Sequence, residues 1–296
     1  MTLGRIALIV LALALTAALW FAVRSPVDAL NALILPGGHT LKPDVAYGAL
    51  PRQRLDVYRP TAEAPPGGWP MVVFFHGGSW NRGERADYRF VGDALASRGV
   101  LTLIADYRLY PAVRYPEFLV DCAQALAYGL EHAAKLGGNP KRVFVAGHSA
   151  GAYNAAMLAL DARWLAAQNH KPSDLAGWVG LAGPYDFLPI KNPDVKPVFN
   201  HPDYPEGSQP IAHTAGGSPR VFLGAAATDD LVNPQRNTVG LAQRLQAAGA
   251  DVTLRLYERV NHVTLAAAFA APLRWLAPVL DDVAGFVNTG PPAAAN

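Results

Sequence analysis

Short apolar runs alternate with longer segments of helical periodicity over most of this chain. The apolar runs have the length of buried strands and end in turn-forming residues. Strands are predicted at 71–75, 100–105, 142–146, 178–182, 220–227 and 251–257. Helices are predicted at 88–97, 116–135, 150–165, 234–248 and 264–287. Because strands and helices alternate, the pattern predicts an α/β fold, with a mostly parallel sheet and helices on both of its faces.

The amino-terminal residues form a separate apolar segment. Residues 6–23 are apolar or small without interruption, with Arg5 before them and Arg24 after them. As a helix this run would be about 27 Å long, which is enough to cross the hydrocarbon of a bilayer. We therefore expect residues 1–24 to be a transmembrane anchor or a signal segment, and the protein to be membrane-anchored or exported, in a bacterial inner membrane or periplasm. Orientation stays open, because each flank carries one arginine. Cleavage also stays open, because the run is longer than a usual signal-peptide core and its small-residue site lies inside it.

The rest of the chain is long enough for one domain. With 296 residues, of which 51% are hydrophobic, it can bury one large core. We expect the α/β domain to span residues 46–288, with a linker at 25–45 and a flexible tail at 289–296. Residues 187–217 are rich in proline, lack clear periodicity and are longer than an ordinary connection, so they are a candidate lid.

Composition narrows the classes of partner. The formal net charge is +2 and only 16% of the residues are charged, so there is no basic patch for nucleic acid. No cluster of residues has metal-ligand spacing and no glycine loop is built for phosphate, so we predict neither a metal nor a cofactor. The single cysteine, Cys122, falls among apolar residues of a predicted helix, where a packed thiol is expected. Nothing in the pattern specifies an oligomeric state.

The strongest candidate for chemistry is a serine between two glycines. The sequence Gly-His-Ser-Ala-Gly at 147–151 follows an apolar strand and precedes an alanine-rich helix. A G-x-S-x-G turn between a strand and a helix is a nucleophile elbow, in which the turn is too tight for side chains at the glycine positions. The sequence therefore predicts that Ser149 projects into a cleft as a nucleophile.

A serine hydroxyl needs a histidine to accept its proton and an acid to orient that histidine. In the fold that uses this elbow, the chain order is serine, then Asp or Glu, then histidine. His262 suits the role of base, because it follows the last predicted strand through a short loop. Asp229 and Asp230 both follow the strand at 220–227, and either could be the acid. Asp186 comes one strand too early and is better suited to hydrogen bonding with loop amides.

Developing negative charge on a substrate oxygen needs hydrogen-bond donors. The strand at 71–75 ends in the sequence His-Gly-Gly-Ser-Trp, which matches the HGGG-type loop of hydrolases. We expect the main-chain amides of Gly78, Ser79 and Ala150 to form the oxyanion hole. His76, at the start of the loop, is expected to brace it by hydrogen bonding.

These motifs together resemble the α/β-hydrolase superfamily. More narrowly, the chain is similar to bacterial carboxylesterases related to hormone-sensitive lipase, to feruloyl esterase-like proteins, to isoprenylcysteine methylesterase and to kynurenine formamidase. Four blocks carry the resemblance: 53–60, 76–80, 105–109 and 147–151. The acid loop of this family usually reads Asp-x-x-Val before a helix that opens with proline, which favours Asp229 over Asp230. Arg108, in the third block, is expected to pair with a carboxylate.

The resemblance implies a serine hydrolase that cleaves small-molecule carboxylic esters through an acyl-enzyme, with no cofactor. Relatives of hormone-sensitive lipase usually carry a helical cap before the first strands. Residues 25–45 are too few for one, so the substrate cover is expected from residues 187–217. Trp80, Tyr185 and Phe187 are expected to contact the substrate, although the aromatic residues of the loop could instead pack onto the core. Two alternatives stay open: an amidase of the kynurenine formamidase kind, and a non-catalytic, membrane-tethered binding protein.

Overall fold

The structure describes few residues before the predicted linker and nearly all of those after it. The computed structural model describes residues 4, 5, 8, 16, 20, 25–32, 34 and 38–290. The predicted membrane segment at 6–23 lies almost entirely outside these residues, as does most of the predicted tail at 289–296. Among the described residues, no helix has both the length and the apolar character needed to cross a membrane.

The centre of the molecule is one eight-stranded sheet with the strand order β1-β2-β4-β3-β5-β6-β7-β8. Its strands are β1 (His39–Ala46), β2 (Arg54–Pro60), β3 (Trp69–Phe75), β4 (Leu101–Ala105), β5 (Gly138–His148), β6 (Gly177–Leu181), β7 (Val221–Ala226) and β8 (Val252–Tyr257). The pairs β1–β2 and β2–β4 are antiparallel. All the other neighbouring pairs are parallel. The predicted mostly parallel sheet is therefore confirmed.

Helices cover this sheet. In chain order they are α1 (Pro26–Ala32), α2 (Arg89–Ala96), α3 (Glu117–Leu136), α4 (Ala150–Leu160), α5 (Ala162–Ala166), α6 (Gly240–Ala247), α7 (His262–Ala267) and α8 (Val279–Asn288). Short 3-10 helices occur at Arg85–Tyr88, Pro172–Asp174, Lys196–Phe199, Pro210–Gly216 and Ala271–Leu273. A single π-helical turn, Gln235–Val239, leads into α6.

The central strand β3 is apolar at every position because it packs against helices on both faces of the sheet. Met71, Val73 and Phe75 belong to the core cluster that also contains buried residues of α3, α4 and α6. Val72 and Phe74 belong to a second cluster with buried residues of α2 and α8. Successive side chains of a strand point to opposite faces, so a sheet covered on both faces needs apolar residues at every position.

The sheet begins earlier than the sequence pattern indicated. Strand β1 lies within residues 25–45, the range predicted as a linker, except for its last residue. It is an edge strand whose side chains are mostly exposed, and its register with β2 shifts between Lys42 and Val45. Pro43 lies at this irregularity, where a missing amide hydrogen does not interrupt a regular ladder. Because most of its side chains face solvent, β1 has no alternation of apolar and polar residues that the sequence could reveal.

Two predicted helices are divided in the structure. The single helix predicted at 264–287 is wrong, because α7 ends at Ala267 and α8 begins only at Val279. Pro272 and Pro278 lie between them, and a proline disfavours helical geometry in the residue before it. The helix predicted at 150–165 breaks at Asp161, which has extended backbone angles and caps α5 with its side chain.

The order of the strands determines where a site can form. From β3 the chain crosses to β4 on one side and then to β5 on the other side. In open α/β sheets the crevice at such a switch point, at the carboxyl ends of the strands, is the usual ligand site. Phe75 at the end of β3 is in register with Gly147 of β5, so the HGGG-type loop at 76–80, here called the glycine loop, and the elbow at 147–151 begin side by side.

Candidate active site

The turn between β5 and α4 has the geometry of a nucleophile elbow. Ser149 has φ 55° and ψ −122°, a left-handed φ that is uncommon for a residue with a side chain. A Cβ atom on Gly151 would lie 2.0 Å from the Phe75 carbonyl oxygen, and one on Gly147 would lie 2.2 Å from the main chain of Gly151. Both glycines are therefore required by backbone contacts, and the serine between them projects from the turn.

Three side chains from distant parts of the chain form one line of hydrogen bonds. The Ser149 Oγ lies 2.8 Å from Nε2 of His262, and Nδ1 of His262 lies 2.8 Å from Oδ2 of Asp229. The other carboxylate oxygen accepts hydrogen bonds of 2.9 Å from the amides of Leu231 and Val232. Since an ionised carboxylate can only accept, Nδ1 carries the ring hydrogen and Nε2 is free to accept the serine proton.

The structure distinguishes the candidate acids. Asp229 is the one that contacts His262, and its side chain is fully buried. Burial by itself would raise the pKa of this carboxyl, but the hydrogen bond and charge of His262 and the two loop amides outweigh it, so the pKa lies below its usual value. Asp230 is exposed to solvent. Asp186 instead pairs with Arg236 through contacts of 2.8 and 3.1 Å.

The candidate base, His262, is held at the start of a helix. His262 is the first residue of α7, whereas the sequence pattern predicted a loop here with the helix beginning at Thr264. The side-chain oxygen of Asn261 accepts hydrogen bonds from the amides of Val263 and Thr264, at 3.0 and 2.9 Å. This N-cap starts the helix two residues earlier than predicted, and it fixes the main chain that carries the imidazole.

The loop after β3 leaves main-chain amides available. Gly78, Ser79 and Trp80 have φ values of 121°, 53° and 57°, and a Cβ on Gly78 would lie 2.2 Å from the Arg82 carbonyl oxygen. Within the described residues, the amides of Gly78 and Ser79 have no hydrogen-bond acceptor. Ala150 contributes the first amide of α4, which no intrahelical carbonyl can satisfy. These are the three amides predicted for the oxyanion hole.

Contacts behind this loop hold it in place. Nδ1 of His76 donates a hydrogen bond of 2.8 Å to the Gly77 carbonyl, so His76 braces the loop as expected. The Tyr107 hydroxyl donates to the His76 carbonyl at 2.9 Å, and the two rings stack at 4.4 Å. Arg108, as predicted, pairs with a buried carboxylate, that of Asp121, at 2.7 Å. Of the block that follows β4, Tyr107 therefore supports the loop, whereas Arg108 holds α3 through Asp121.

A cavity of about 400 Å³ opens above the serine. Ser79, Ala150, Ser149 and His262 lie in its wall, whereas Gly78 does not. The remaining lining residues come mainly from the segment after β6 and from the loop after β7: Trp80, Arg82, Pro184, Asp186, Phe187, Pro189, Ile190, Lys191, Asn192, Val195, Leu231, Val232, Asn233, Arg236 and Asn237. A cavity of this size is in the range that takes small organic ligands.

Two of the three predicted substrate contacts reach this cavity. The rings of Trp80 and Phe187 lie in its wall and stack at 6.0 Å. Tyr185 does not reach it, which corrects the prediction: the side chain is fully buried and packs against Trp178 at 6.4 Å. The amide of Tyr185 donates a hydrogen bond to the side-chain oxygen of Asn237.

The candidate lid, residues 187–217, forms part of the cavity wall. Its amino-terminal end contributes Phe187, whose amide donates to the side-chain oxygen of Gln209 at 2.8 Å. Further along, Phe199 is fully buried and packs edge-on against Trp80 at 5.0 Å. The segment thus combines both expectations for its aromatic residues, since Phe187 faces the cavity and Phe199 packs onto the core.

Several residues at the site carried no local signal in the sequence. Asn154, on α4, accepts a hydrogen bond of 3.0 Å from the Trp80 indole and so ties the glycine loop to the nucleophile helix. Tyr88 and His148 also lie beside the site and are hydrogen bonded to each other, although 60 positions separate them. His148 occupies the variable position of the elbow motif, which is the only hint that a sequence reading offers. Among the described residues, no cluster of three His, Cys, Asp or Glu side chains could hold a metal ion.

Comparison with known protein families identifies the family of this chain. The BD-FAE family model matches residues 55–245, which run from β2 to α6 and include the elbow. The chain belongs to the BD-FAE family. Its resemblance to α/β-hydrolase esterases, inferred from the motifs, is thereby confirmed.

Relatives of this BD-FAE family member have names that describe esterases. A probable isoprenylcysteine alpha-carbonyl methylesterase from Oryza sativa subsp. japonica is 30% identical over 251 residues, which are 75% of this chain and 56% of that protein. Esterase LipC from Mycobacterium tuberculosis is 29% identical over 221 residues, which are 69% of this chain and 54% of that protein. The chain thus spans about half the length of the curated relatives it matches.

A solved structure shares the fold. The apo form of Thermogutta terrifontis esterase 2 superimposes with a TM-score of 0.68 at 21% sequence identity. The superposition covers 86% of this chain and 97% of the other chain. At this level of identity the comparison shows that the two proteins have the same architecture, and nothing about substrates follows from it.

Proposed function

We propose that this protein is a serine hydrolase that cleaves carboxylic esters of small molecules. The observation that carries the proposal is the continuous line of hydrogen bonds from Ser149 through His262 to Asp229, at the floor of a cavity. Membership of the BD-FAE family and the esterase names of the relatives support the same chemistry. No cofactor is needed for it.

In the first half of the reaction, Ser149 attacks the carbonyl carbon of the ester. Its proton passes to Nε2 of His262, and the buried carboxylate of Asp229 stabilises the imidazolium that forms. Because its pKa is lowered, Asp229 is ionised at neutral pH and can play this part. The amides of Gly78, Ser79 and Ala150 stabilise the oxyanion of the tetrahedral intermediate. His262 then gives the proton to the leaving alcohol, and the acyl group stays on the serine.

In the second half, His262 takes a proton from a water molecule, which attacks the acyl-enzyme. A second tetrahedral intermediate uses the same amides, and its collapse releases the carboxylic acid and returns the proton to the serine. The stacked rings of Trp80 and Phe187 are in a position to contact the apolar part of the substrate. They would orient the ester so that its carbonyl lies within reach of the nucleophile.

The test of this proposal is the Ser149→Ala variant. We expect its kcat on p-nitrophenyl butyrate to fall about 10⁴-fold or more, because no other group in the line can act as the nucleophile. Ser173→Ala is the matched control, since Ser173 is an exposed serine in the short helix Pro172–Asp174 and should leave kcat unchanged. A fluorophosphonate probe should label the wild type and not Ser149→Ala. Wild-type hydrolysis by Ser149→Ala would reject the proposal, and a folded wild type that neither reacts nor labels would favour a binding protein.

The substrate class can be narrowed with one panel. It would contain p-nitrophenyl esters with acyl groups of two to sixteen carbons, a methyl ester of an S-prenylated cysteine, and N-formylkynurenine. We expect hydrolysis of esters, with a preference among acyl lengths that follows the volume of the cavity. The prenylcysteine ester is included because of the name of the Oryza relative. Faster turnover of the N-formyl amide than of any ester would favour an amidase instead.

We also propose that residues 1–24 tether the protein to a membrane. The uninterrupted apolar run at 6–23 supports this location, because a helix of that length matches the bilayer hydrocarbon. The first measurement is whether the full chain stays in the membrane fraction after a carbonate wash. The second is its protease accessibility in intact and in opened cells, which reports the side of the membrane on which the domain lies. Recovery of the uncleaved chain in the soluble fraction would reject a tether.

A further inference from the structure

His148 lies beside the nucleophile and has both of its ring nitrogens engaged. The residue is buried, with 5% of its surface exposed. Its Nε2 lies 2.9 Å from the main-chain carbonyl oxygen of His262. Its Nδ1 lies 2.9 Å from the Tyr88 hydroxyl, and that hydroxyl lies 3.1 Å from the Gly77 amide nitrogen. One side chain on the elbow therefore links the residue that carries the base to the loop that carries the oxyanion amides.

The direction of each hydrogen bond in this chain follows from its ends. The His262 carbonyl can only accept, so Nε2 of His148 carries the ring hydrogen. The Gly77 amide can only donate, so the Tyr88 oxygen accepts from it and directs its own hydrogen to Nδ1 of His148. Every donor and acceptor of the neutral imidazole is thereby used, and the ring has one tautomer and one orientation.

The glycine loop is shaped to admit this contact. A Cβ atom on Gly77 would lie 2.9 Å from the Tyr88 hydroxyl and 3.2 Å from Nδ1 of His148. It would also lie 3.1 Å from the His148 carbonyl oxygen. A side chain at this position would therefore displace the tyrosine or the histidine. The first glycine of the loop is needed where these two side chains meet.

His148 is neutral at the pH at which an esterase works. Burial, together with the charge of His262 when that ring is protonated, lowers the pKa of His148 to about 3. The titratable groups that face it are Tyr88, His262 and Asp229. The pKa of Tyr88 is raised by its own burial, so the phenol keeps its hydrogen. The bridge therefore does not change its protonation between mildly acidic and mildly basic pH.

We propose that His148 is a positioning residue that holds the main chain of the base through its Nε2, while Tyr88 and the Gly77 amide fix the orientation of its ring. This inference rests on the proposed esterase function. The three parts that it joins follow different strands: the loop follows β3, the elbow follows β5, and the base follows β8. The line from Ser149 to Asp229 orients the imidazole of His262, and the bridge from His148 holds the main chain of the same residue. Small displacements of a base cost rate, so the bridge should act on kcat.

Two substitutions of His148 separate its two hydrogen bonds. His148→Asn keeps an acceptor near the place of Nδ1 for Tyr88, but it is too short to reach the His262 carbonyl. His148→Gln keeps a donor near the place of Nε2, but it leaves the Tyr88 hydroxyl without its acceptor. We expect His148→Asn to lower kcat about 10- to 100-fold with little change in KM, and His148→Gln to restore most of that loss.

The readouts distinguish positioning from a general loss of structure. kcat is expressed per site labelled by a fluorophosphonate, so that unfolded protein does not contribute. The acid limb of the kcat/KM profile should stay at the wild-type pH in both variants, because the bridge is neutral. His132→Asn is the matched control, since His132 lies on α3 and, within the described part of the chain, hydrogen bonds only to the carbonyl of Tyr128, four residues earlier. Tyr88→Phe, which removes the hydroxyl without adding volume, should lower kcat less than His148→Asn.

Three results would overturn the inference. The first is equal kcat per labelled site in His148→Asn, His148→Gln and the wild type. The second is an equal loss of kcat in both variants, and the third is a shift of the acid limb of the kcat/KM profile, because neither agrees with a neutral bridge to the His262 carbonyl. If any of these results comes with an inactive Ser149→Ala variant, only the positioning role fails. If Ser149→Ala hydrolyses esters as the wild type does, the proposed function itself fails.

Discussion

Two regions border the same cavity and are built in different ways. The glycine-bounded turns after β3 and β5 are determined by backbone contacts, since a single Cβ atom at Gly151 would lie 2.0 Å from a main-chain oxygen. The opposite wall, at the start of residues 187–217, is held by side chains such as Gln209 and Asn237, which accept hydrogen bonds from loop amides. The first region should therefore tolerate almost no change, and the second should tolerate changes that alter substrate preference.

The largest expected effect tests Asp229, the proposed acid that hydrogen bonds to His262 beside the glycine-bounded turns. Asp229→Asn should lower kcat about 10⁴-fold, because an amide in place of the carboxylate favours the wrong tautomer of His262. Asp230→Asn is the adjacent control, and its exposed side chain should leave kcat nearly unchanged. Steady-state kinetics on one ester measures both. Similar effects of the two substitutions would contradict the assignment of Asp229 as the acid.

The next effect tests the steric basis of the elbow. Gly151→Ala places a Cβ against the Phe75 carbonyl oxygen, so the turn has to move and kcat should fall about 100-fold or more. Gly285→Ala is the control, because nothing lies within 4 Å of a Cβ at this helical position. That change should leave kcat unaltered and stabilise the protein by up to about 1 kcal/mol, since alanine favours a helix more than glycine does. If Gly151→Ala had wild-type kcat and melting temperature, the steric account would be wrong.

A smaller effect is expected on the opposite wall. Phe187→Ala should raise KM about 10-fold for esters with large apolar acyl groups and change kcat less, because the ring contacts the ground state and the transition state alike. Tyr185→Phe is the control, since that ring lies in the core and does not reach the cavity. The measurement is KM over a series of acyl lengths. A larger effect of Tyr185→Phe than of Phe187→Ala on KM would show that the two roles are reversed.

The smallest effect concerns acid stability. Asp229 has a lowered pKa, so the stabilisation that it contributes is present above the ordinary carboxyl pKa of about 4 and is lost as the pH falls through the lowered value. The difference in free energy of unfolding between wild type and Asp229→Asn should therefore shrink on acidification. Urea unfolding at several pH values compares the two.

Much of the fold could be predicted because its signals are local. The strand β3 is apolar at every position because both faces of the sheet are covered, and each of the six predicted strands corresponds to one of β3 to β8, whereas β1 and β2 were not predicted as strands. Edge strand β1 carried no such signal, since most of its side chains face solvent and its stability comes from main-chain pairing with β2. The two prolines between α7 and α8 were visible in the sequence, and the helix prediction there gave them too little weight.

The order of elements and the elbow around Ser149 follow from the sequence alone, because periodicity and the sterics of glycine act within a few residues. Which aspartate contacts His262, which of Tyr185 and Phe187 faces the cavity, and the link from Gly77 to His262 through His148 were decided only by the tertiary structure. These contacts join residues at or beyond the ends of different strands, up to 114 positions apart in the case of His148 and His262. No local pattern specifies them, because each depends on how the sheet brings its loops together.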